Sequence, residues 1–298
     1  MKEKEFISTI KKILNSEYIG DDCAYLEDLG VVITQDSLVE DVHFSLKFST
    51  PYQIGYKSVM VNISDICASG AEPKYLTIAL SLPENIDENF VKEFYQGAKE
   101  ACNDAKIVGG DITGSDKIYI SVTAIGSDRG RKISSRSNAK VGYKIIVSGE
   151  HGNSATGLKL LQNGYMNLDN KFVNAHLMPQ AQREFSKEIA IYSTEAYAMM
   201  DTSDGLADAL NQIAKASNVL LSVQSDKILK DASVDIDAVL FGGEDYQLVA
   251  VVPEDLLPKL SNYQEIGYVK EGFCGVEIDG VLCDNIDEKI FNHFKRTS

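Results

Sequence analysis

The sequence predicts an α/β protein of two domains. Its 298 residues are 44% hydrophobic, which fits two domains or one large one rather than a single small core. Apolar runs typical of strands alternate with segments of helical periodicity, and this alternation is typical of α/β folds. A polar, glycine-containing stretch at 138–142 precedes a new apolar strand. We therefore predict domains at 1–138 and 139–298.

In the first half, the predicted elements follow one another as strand, helix, strand, helix, strand and strand. The first strand, 31–33, leads into the acidic stretch 34–43. Thr50 is suited to cap a helix that has Pro51 at its first position and runs to Gly70. The elements that follow are a strand at 75–82, a helix at 87–105, and strands at 107–108 and 118–125.

The second half repeats the alternation of strands and helices. Its predicted strands are 144–147, 219–223 and 246–252, and its predicted helices are 154–161, 181–199 and 206–216. In each half an apolar segment runs into a Gly-Gly-acid sequence, at 109–111 and 242–244. These two matches hint at an internal repeat, but two matches alone are weak evidence.

Charge and hydropathy exclude several classes of protein. The formal net charge is −15, so the overall field repels nucleic acid and anionic membrane surfaces, and we predict neither as a partner. Segment 1–15 lacks the apolar core of a signal peptide. No stretch reaches the roughly 18 apolar residues that would span a bilayer. We therefore expect a cytoplasmic protein.

Acidic residues recur in short clusters beside glycines or at the ends of apolar segments. The clusters contain Asp21, Asp22, Asp36, Asp65, Asp111, Asp201, Asp204, Glu244 and Asp245. Carboxylates at strand ends are held near the place where open α/β folds bind ligands. Mg²⁺ prefers oxygen ligands and shares carboxylates with substrate phosphates. Because an anionic protein needs cations to bind a polyphosphate, the pattern predicts metal-dependent phosphate chemistry.

Most of these residues, taken singly, also have a structural interpretation. Asp201 stands before a predicted helix and would serve as its cap, and Asp22 would suit a turn. Asp65 favours a ligand role, since an unpaired carboxylate on a largely apolar helix is costly. A lone histidine such as His43 is more often a packing residue, and Tyr95 is more often part of a core. The individual roles therefore stay open at this point.

Basic and glycine-rich segments give weaker signals. The stretch 129–136 contains four basic residues that would place positive charge on phosphates, or would simply be solvated. Gly109 and Gly110 allow a backbone to approach a ligand closely, although turns explain most such pairs. The phosphate loop ending in Gly-Lys-Ser/Thr and the dinucleotide glycine fingerprint are both missing from the sequence. Nucleotide binding would therefore require another scaffold.

Taken together and in order, seven segments resemble the thiamine-monophosphate kinase family. Its superfamily also holds aminoimidazole-ribonucleotide synthetase, selenophosphate synthetase and a hydrogenase-maturation enzyme. The matching segments are GDDCA (20–24), TQDSLVEDVHF (34–44), VNISDICASGAEP (61–73), VGGDIT (108–113), SRSNAKVG (135–142), DTSDGLADAL (201–210) and FGGEDYQL (241–248). The resemblance implies an aminoimidazole-ribonucleotide synthetase-like fold, in which the N-terminal domain dimerises through its strands and a C-terminal α/β domain closes over the site.

The resemblance also implies an activity and its residues. The activity is direct phosphoryl transfer from ATP to thiamine monophosphate with Mg²⁺, giving thiamine diphosphate. The implied metal ligands are Asp22, Thr34, Gln35, Asp36, Asp65, Asp111, Asp201 and Asp204. The implied nucleotide contacts are Tyr95, Gly110, Asp111, Arg136 and Ser203, and the implied acceptor contacts are His43, Glu244 and Phe291. Catalysis itself is expected of Asp36, Asp111 and Arg136.

The chain departs from the family pattern at three places. Thr34, Gln35 and Asp36 replace the common Ser-Thr-Asp, so a ligand at Gln35 would be an amide or carbonyl oxygen. The sequence at 141–143 replaces the familiar Pro-Gly-Asp. The segment between Tyr95 and the glycine pair at 109–110 is shorter than the family pattern predicts. Tyr95 therefore matches the family's nucleotide-binding position less closely than the other residues do.

Two alternatives are kept, namely another ATP-dependent enzyme of the superfamily and a non-catalytic nucleotide or metal sensor. A selenophosphate synthetase would need a reactive cysteine in a glycine-rich loop, whereas Cys23 directly follows the acidic pair. The hydrogenase-maturation enzyme would end in a cysteine, whereas this sequence ends in Ser298. Predicted ligands for both ATP and an acceptor argue against the sensor.

Overall fold

Two β-sheets, one from each half of the chain, organise the fold. The computed structural model describes residues 2–291 and 293. Its first sheet consists of β1 (Ala24–Leu26), β2 (Val31–Val39), β3 (Glu72–Leu82), β4 (Lys106–Gly114) and β5 (Tyr119–Ser127). Its second sheet consists of β6 (Lys144–Val147), β7 (Ala198–Asp201), β8 (Leu220–Val223), β9 (Leu248–Val252), β10 (Gln264–Lys270), β11 (Gly275–Ile278) and β12 (Val281–Leu282).

Helices cover one side of each sheet and join the two. They are α1 (Lys2–Leu14), α2 (Pro51–Ala68), α3 (Glu88–Cys102), α4 (Asn153–Gln162), α5 (Lys171–Leu177), α6 (Arg183–Tyr192), α7 (Leu206–Ser217), α8 (Ile236–Phe241) and α9 (Ile286–Lys289). Among the described residues, no helix combines the length and apolar character that crossing a membrane requires. The predicted mixed α/β class is confirmed.

Helix α2 is the central element of the first half. It begins as the sequence predicts, because the Thr50 side chain accepts from the Gln53 amide and the Gln53 side chain accepts in return from the Thr50 amide. Two glycines bring α3 against it: a Cβ on Gly55 would lie 1.9 Å from the Phe94 carbonyl oxygen, and a Cβ on Gly97 would lie 1.9 Å from that of Tyr52. This close packing fixes α2 over the sheet.

The first sheet, in the order β1-β2-β5-β3-β4, has one packed face and one open face. Along β5, buried Ile120, Val122 and Ala124 alternate with more exposed neighbours, as one-sided packing requires. Strand β4 pairs only with β3 and lies at the sheet edge, where Val108 and Ile112 are 59% and 62% exposed. This edge is therefore apolar surface without a partner among the described residues of the single chain.

The second sheet has the order β12-β11-β8-β10-β6-β9-β7. Strands β7 and β9 are buried along their whole length. One side of β7 and β9 packs with α7 in a separate core, whereas Met199 and Leu248 on the other side, with Ile146 of β6, join the core beneath the first sheet. This shared core places the end of β7 directly beside α2. The predicted boundary between residues 138 and 139 stays a prediction.

The structure corrects three predicted elements. The predicted helix 181–199 ends at Tyr192, and β7 begins at Ala198, because the apolar spacing of the helix continues into a buried strand. The predicted strand 31–33 extends to Val39. Strand β4 runs through Gly109 and Gly110 to Gly114 rather than ending at residue 108.

Candidate active site

Three carboxylates, one buried and two partly buried, meet where the two halves of the chain touch. Asp22 precedes β1, Asp65 lies near the end of α2, and Asp201 is the last residue of β7. One carboxylate oxygen from each lies within 4.8 Å of the other two. Ser64 donates a hydrogen bond of 2.7 Å to Asp201 Oδ2 and so ties α2 to β7. We name Asp22, Asp65 and Asp201 the acidic cluster.

Strand β2 supplies two further oxygens to this region. Thr34 Oγ1 donates to Asp65 Oδ2 at 2.6 Å, and the backbone N–H of Asp36 donates to Asn62 Oδ1 at 3.0 Å. Both side chains lie on the strand face that packs against α2. Gln35 points the other way, where its amide is bonded to Ser121 and Thr123. Since alternate residues face opposite sides of a strand, only a backbone oxygen of Gln35 could reach the cluster.

The electrostatics show that the negative charge of the cluster is only partly compensated, by Arg136 beside Asp22. Burial, with the added charges of Asp36 and Asp201, raises the pKa of Asp65 well above its usual value. Burial and the neighbouring Asp22 raise the pKa of Asp201 to about 7. Burial also raises the pKa of Asp22, although Arg136 opposes it, and that of Asp36. Repelling carboxylates of this kind are stabilised by a cation.

The cluster fits a divalent metal ion. Asp201 Oδ1 is buried and, among the described residues, has no hydrogen-bond partner, which is costly unless a ligand satisfies it. The donor set of carboxylate and hydroxyl oxygens is the one that Mg²⁺ prefers. Asp204 follows Asp201 by three residues, and burial with nearby Asp208 raises its pKa to about 7, while its role as a metal ligand stays a prediction. Such a site can hold metal-bound phosphates.

Arg136 is the member of the basic stretch that contacts this region. Its guanidinium donates to Asp22 Oδ1 at 2.7 Å and to Gln212 Oε1 at 2.6 Å, and its backbone N–H donates to Asp21. Lys132 instead donates to the Thr194 carbonyl on the surface. Arg136 Nε is buried without a partner among the described residues. The guanidinium therefore has hydrogen-bonding capacity left for a phosphate.

Two loops beside the second sheet, one after β7 and one between α8 and β9, are hydrogen-bonded to each other. The backbone N–H of Glu244 donates to the Ser203 carbonyl at 2.7 Å, and a Cβ on Gly243 would lie 2.6 Å from that oxygen. Asp245 accepts from the amides of Gly152 and Ser154 at the start of α4, so it anchors a helix. Glu244 has a φ of +65°, a conformation that side chains avoid unless the surroundings impose it.

Glu244 lies in a second cluster of charged groups, beside the first. Its Oε1 is 2.8 Å from Lys57 Nζ, and its Oε2 is 3.4 Å from His176 Nδ1. Burial alone would raise the pKa of Glu244, but Lys57, with a smaller contribution from His176, lowers it below its usual value. The sequence analysis missed Lys57 and His176. A lysine within a helix of buried residues was a usable signal, of the same kind that singled out Asp65.

The other two predicted acceptor residues lie near Glu244. His43 Nδ1 accepts from the Val39 amide at 2.9 Å, and the His43 carbonyl accepts from Lys57 Nζ at 3.1 Å. Rings connect His43 to Phe291: the centroid of His293 is 5.0 Å from that of His43 and 4.9 Å from that of Phe291. Phe291 also lines a cavity of about 100 Å³ that includes Asp204. The structure thus groups these residues beside the carboxylates of the predicted metal site, while their substrate contacts stay predictions.

Asp111 is not near the acidic cluster in the single chain. It pairs with Ala79 on the outer face of the sheet, whereas Asp36 lies in the row of Val122, Ile78 and Gly110 on the packed face. Strands β2 and β4 are three positions apart, or about 14 Å. Its ligand role stays a prediction that needs a contribution from outside the chain.

Gly110 and Tyr95 have structural explanations for their residue type. A Cβ on Gly110 would lie 1.8 Å from the Ile78 carbonyl oxygen, so the sheet itself requires glycine there. Tyr95 is half-buried on α3 and packs edge-on against Phe94 with centroids 5.4 Å apart. Their nucleotide contacts, like that of Ser203, stay predictions.

Comparisons with known proteins agree with this geometry. The family model for AIR synthase related protein, N-terminal domain, matches residues 20–127, and that for the C-terminal domain matches residues 140–277. The chain is 37% identical to the thiamine-monophosphate kinase of Aquifex aeolicus over 97% of this chain and 96% of the relative. It is 34% identical to that of Bacillus subtilis over 93% of each.

A solved structure, AaThiL complexed with AMPPCP and TMP, superimposes with a TM-score of 0.90 at 36% identity, covering 99% of this chain and 98% of that one. This structural match and the two family models together cover almost the whole chain. The predicted two-domain fold is confirmed. The chain belongs to the thiamine-monophosphate kinase family of the AIR synthase related proteins.

Proposed function

We propose that this protein transfers a phosphoryl group from ATP to thiamine monophosphate in the presence of Mg²⁺. The observation that carries the proposal is the acidic cluster, in which Asp201 keeps a buried oxygen without a partner among the described residues. A buried anionic site of this kind needs cations before it can accept phosphates. Full-length similarity to thiamine-monophosphate kinases supports the choice of acceptor.

The donor half of the site is assigned to the metal-binding carboxylates and Arg136. The residues that would hold Mg²⁺ are Asp22, Thr34, Asp36, Asp65, Asp201 and Asp204. Bound there, the ion would neutralise charge on the transferred phosphoryl oxygens. Arg136 adds a guanidinium at the edge of the cluster, 2.7 Å from Asp22, and Ser203 adds a hydroxyl beside Asp201. These groups position the nucleotide rather than form bonds to it.

The acceptor half is assigned to His43, Glu244 and Phe291. The acceptor phosphate is already ionised near neutral pH, so transfer requires no strong general base. The Ser203–Glu244 backbone hydrogen bond of 2.7 Å fixes the two halves relative to one another. Alignment of two bound phosphates is therefore the main contribution of the chain to the rate.

We also propose that the protein is a cytoplasmic homodimer in which the outer face of the first sheet is covered by a second copy. The exposed aromatic residues Tyr75 on β3 and Tyr119 on β5, at 47% and 44%, support this, and Ile112, at 62%, exposes apolar surface along the neighbouring β4 edge. A cavity of about 110 Å³ borders the acidic cluster at Asp22, and another of about 100 Å³ lies beside Asp204; both are too small for a nucleotide. A second copy would complete the site by bringing its Asp111 to the cluster.

The test of the activity is a magnesium-titrated assay that detects thiamine diphosphate. We expect product only when ATP, thiamine monophosphate and Mg²⁺ are all present, and we expect Asp36→Ala to abolish it. ADP release is measured in parallel, with and without thiamine monophosphate. Nucleotide binding without acceptor-dependent turnover would favour the sensor instead.

A mixing experiment tests the dimer and the role of Asp111. Asp111→Ala and Asp65→Asn chains should each be inactive alone. If Asp111 acts across the interface, random mixed dimers contain one intact site, so mixing recovers about a quarter of the wild-type activity. Recovery of no activity, with dimers confirmed by sedimentation, would contradict this arrangement.

A further inference from the structure

Lys57 is an unusual residue for the middle of a packed helix. Its side chain is only 5% exposed, and its Nζ lies 2.8 Å from Glu244 Oε1 and 3.1 Å from the His43 carbonyl oxygen. Burying an ion pair costs desolvation free energy that the attraction often fails to recover. Stability alone is therefore a poor reason for placing a lysine here, and a requirement of the site explains it better.

The second oxygen of Glu244 is also held in place. Oε2 lies 3.4 Å from His176 Nδ1, and Ser154 Oγ lies 3.1 Å from the same nitrogen. Burial, reinforced by Lys57, lowers the pKa of His176 to about 4, so its ring is neutral near pH 7. His176 thus limits the space open to Oε2 by packing against it, without adding a charge.

The Glu244 carboxylate is therefore ionised and fixed in orientation, and the positive charge of Lys57 balances its negative charge. Lys57 and Glu244 have opposite charges and His176 has none, so the group of three has no net charge. The Glu244 side chain remains 25% exposed, which leaves lone pairs for a ligand. Its backbone, at a φ of +65°, leaves little freedom to reorient.

Thiamine monophosphate offers this group two possible partners besides its phosphate. One is the permanently cationic thiazolium ring, and the other is the amino group on the pyrimidine ring. A carboxylate already paired with a lysine is a weak counter-ion, but it is still a good hydrogen-bond acceptor. The neutral group therefore suits the amino group better than the cation.

We propose that Lys57 and His176 are positioning residues that hold Glu244 as a hydrogen-bond acceptor for the pyrimidine amino group of the substrate. This inference rests on the proposed function and specifies how that site selects its acceptor. In this arrangement the thiazolium ring lies elsewhere in the pocket. Lys57 touches the substrate only through Glu244.

The experiment measures kcat and KM for thiamine monophosphate and for an analogue with hydrogen in place of the amino group. The wild-type enzyme should prefer the natural substrate by at least about 10-fold in kcat/KM, the size expected when a buried acceptor loses its donor. In Lys57→Met this preference should fall to about 3-fold or less, with KM for thiamine monophosphate raised about 10-fold. KM for ATP should stay within about 2-fold, because the donor half is untouched.

Three further variants separate positioning from a general loss of structure. Lys57→Arg keeps the charge and should recover most of the preference. His176→Gln should weaken it less than Lys57→Met, and it serves as the test if Lys57→Met does not fold. Lys92→Met, which removes an exposed pair with Glu88 at 3.0 Å on α3, should behave as wild type.

The outcomes distinguish this inference from the function on which it rests. If the wild-type protein makes no thiamine diphosphate, the proposed function fails. If it turns over but Lys57→Met or His176→Gln keeps the full wild-type preference for the amino group, only the inference is overturned. Equal increases in KM for ATP and for thiamine monophosphate would likewise overturn it, since a positioning role acts on one substrate.

Discussion

The acidic cluster and the Glu244 group both bury carboxylates, yet they differ in how the charge is balanced. In the cluster, burial and mutual repulsion raise the pKa of Asp201 to about 7. At Glu244, Lys57 overcomes the effect of burial and lowers the pKa. The first region leaves negative charge that a metal ion must balance, whereas the second contains its own cation. A raised carboxylate pKa thus marks the site that needs an added cation, and a lowered carboxylate pKa marks the site that has a lysine to balance it.

The largest expected effect comes from removing a charge in the acidic cluster. Asp201→Asn should lower kcat at least about 100-fold, because a preorganised charge at the reacting phosphates is lost. Its metal-free melting temperature should stay unchanged or rise, because repulsion with Asp22 and Asp65 is relieved. Product assays and thermal melting without Mg²⁺ check both points. A variant at an exposed acid, Asp169→Asn, serves as the control and should change neither.

In the Glu244 group, the same kind of change should have the opposite effect on stability. Glu244→Gln leaves Lys57, which is 5% exposed, without a counter-ion, and breaking a buried pair costs about 3 kcal/mol. Urea unfolding of the metal-free protein measures the difference. If Glu244→Gln and Asp201→Asn shift stability in the same direction, the contrast between the two regions is wrong.

Stabilisation by Mg²⁺ should increase with pH. The pKa values of Asp201 and Asp204 rise from 3.8 to about 7 on folding, so the metal-free native state binds more protons than the unfolded chain between these values. Its stability therefore falls as pH rises from about 4 through about 7. Bound Mg²⁺ removes this penalty. The rise in melting temperature on adding Mg²⁺ should be larger at about pH 8 than at about pH 5.5, and an equal rise would contradict the assignment.

The smallest effect is expected at a half-exposed pair. Lys4 is 42% exposed and bridges Asp208 and Asp287 at 3.0 and 2.5 Å; Asp208 is buried, but it keeps a hydrogen bond from Gln212 when Lys4 is removed. Lys4→Met should destabilise the protein by about 1 kcal/mol or less, and added salt should reduce the difference. Unfolding at low and high ionic strength measures it. If Lys4→Met lowered the free energy of unfolding as much as Glu244→Gln, burial of the ion pair would not explain the difference between the two variants.

Local sequence patterns predicted much of the site. Asp65 could be singled out because a carboxylate on an apolar helix is costly wherever the helix packs. The cap at Thr50 and the strand at 118–125 are likewise local signals, and both are confirmed. The resemblance then grouped residues from distant segments, such as Asp22 and Asp201, that no local pattern could bring together.

What the sequence did not predict depends on long-range contacts. Lys57 pairs with Glu244, which lies in a loop of the other half of the chain. The role of Lys57 therefore cannot be predicted from its own segment. Strand β4 was predicted too short because Gly109 and Gly110 look like a turn, whereas the sheet uses Gly110 to clear the Ile78 carbonyl. The face on which Asp111 lies follows only once that strand is known.

The hydrogen bond from the Glu244 amide to the Ser203 carbonyl, with Gly243 pressed against the same oxygen, sets a distance in the backbone. Neither loop can shift without carrying the other, so the spacing between the two reactants is independent of side-chain rotamers. Accepting a longer or shorter substrate would accordingly require rebuilding main chain, whereas altering the ring it recognises would require only new side chains.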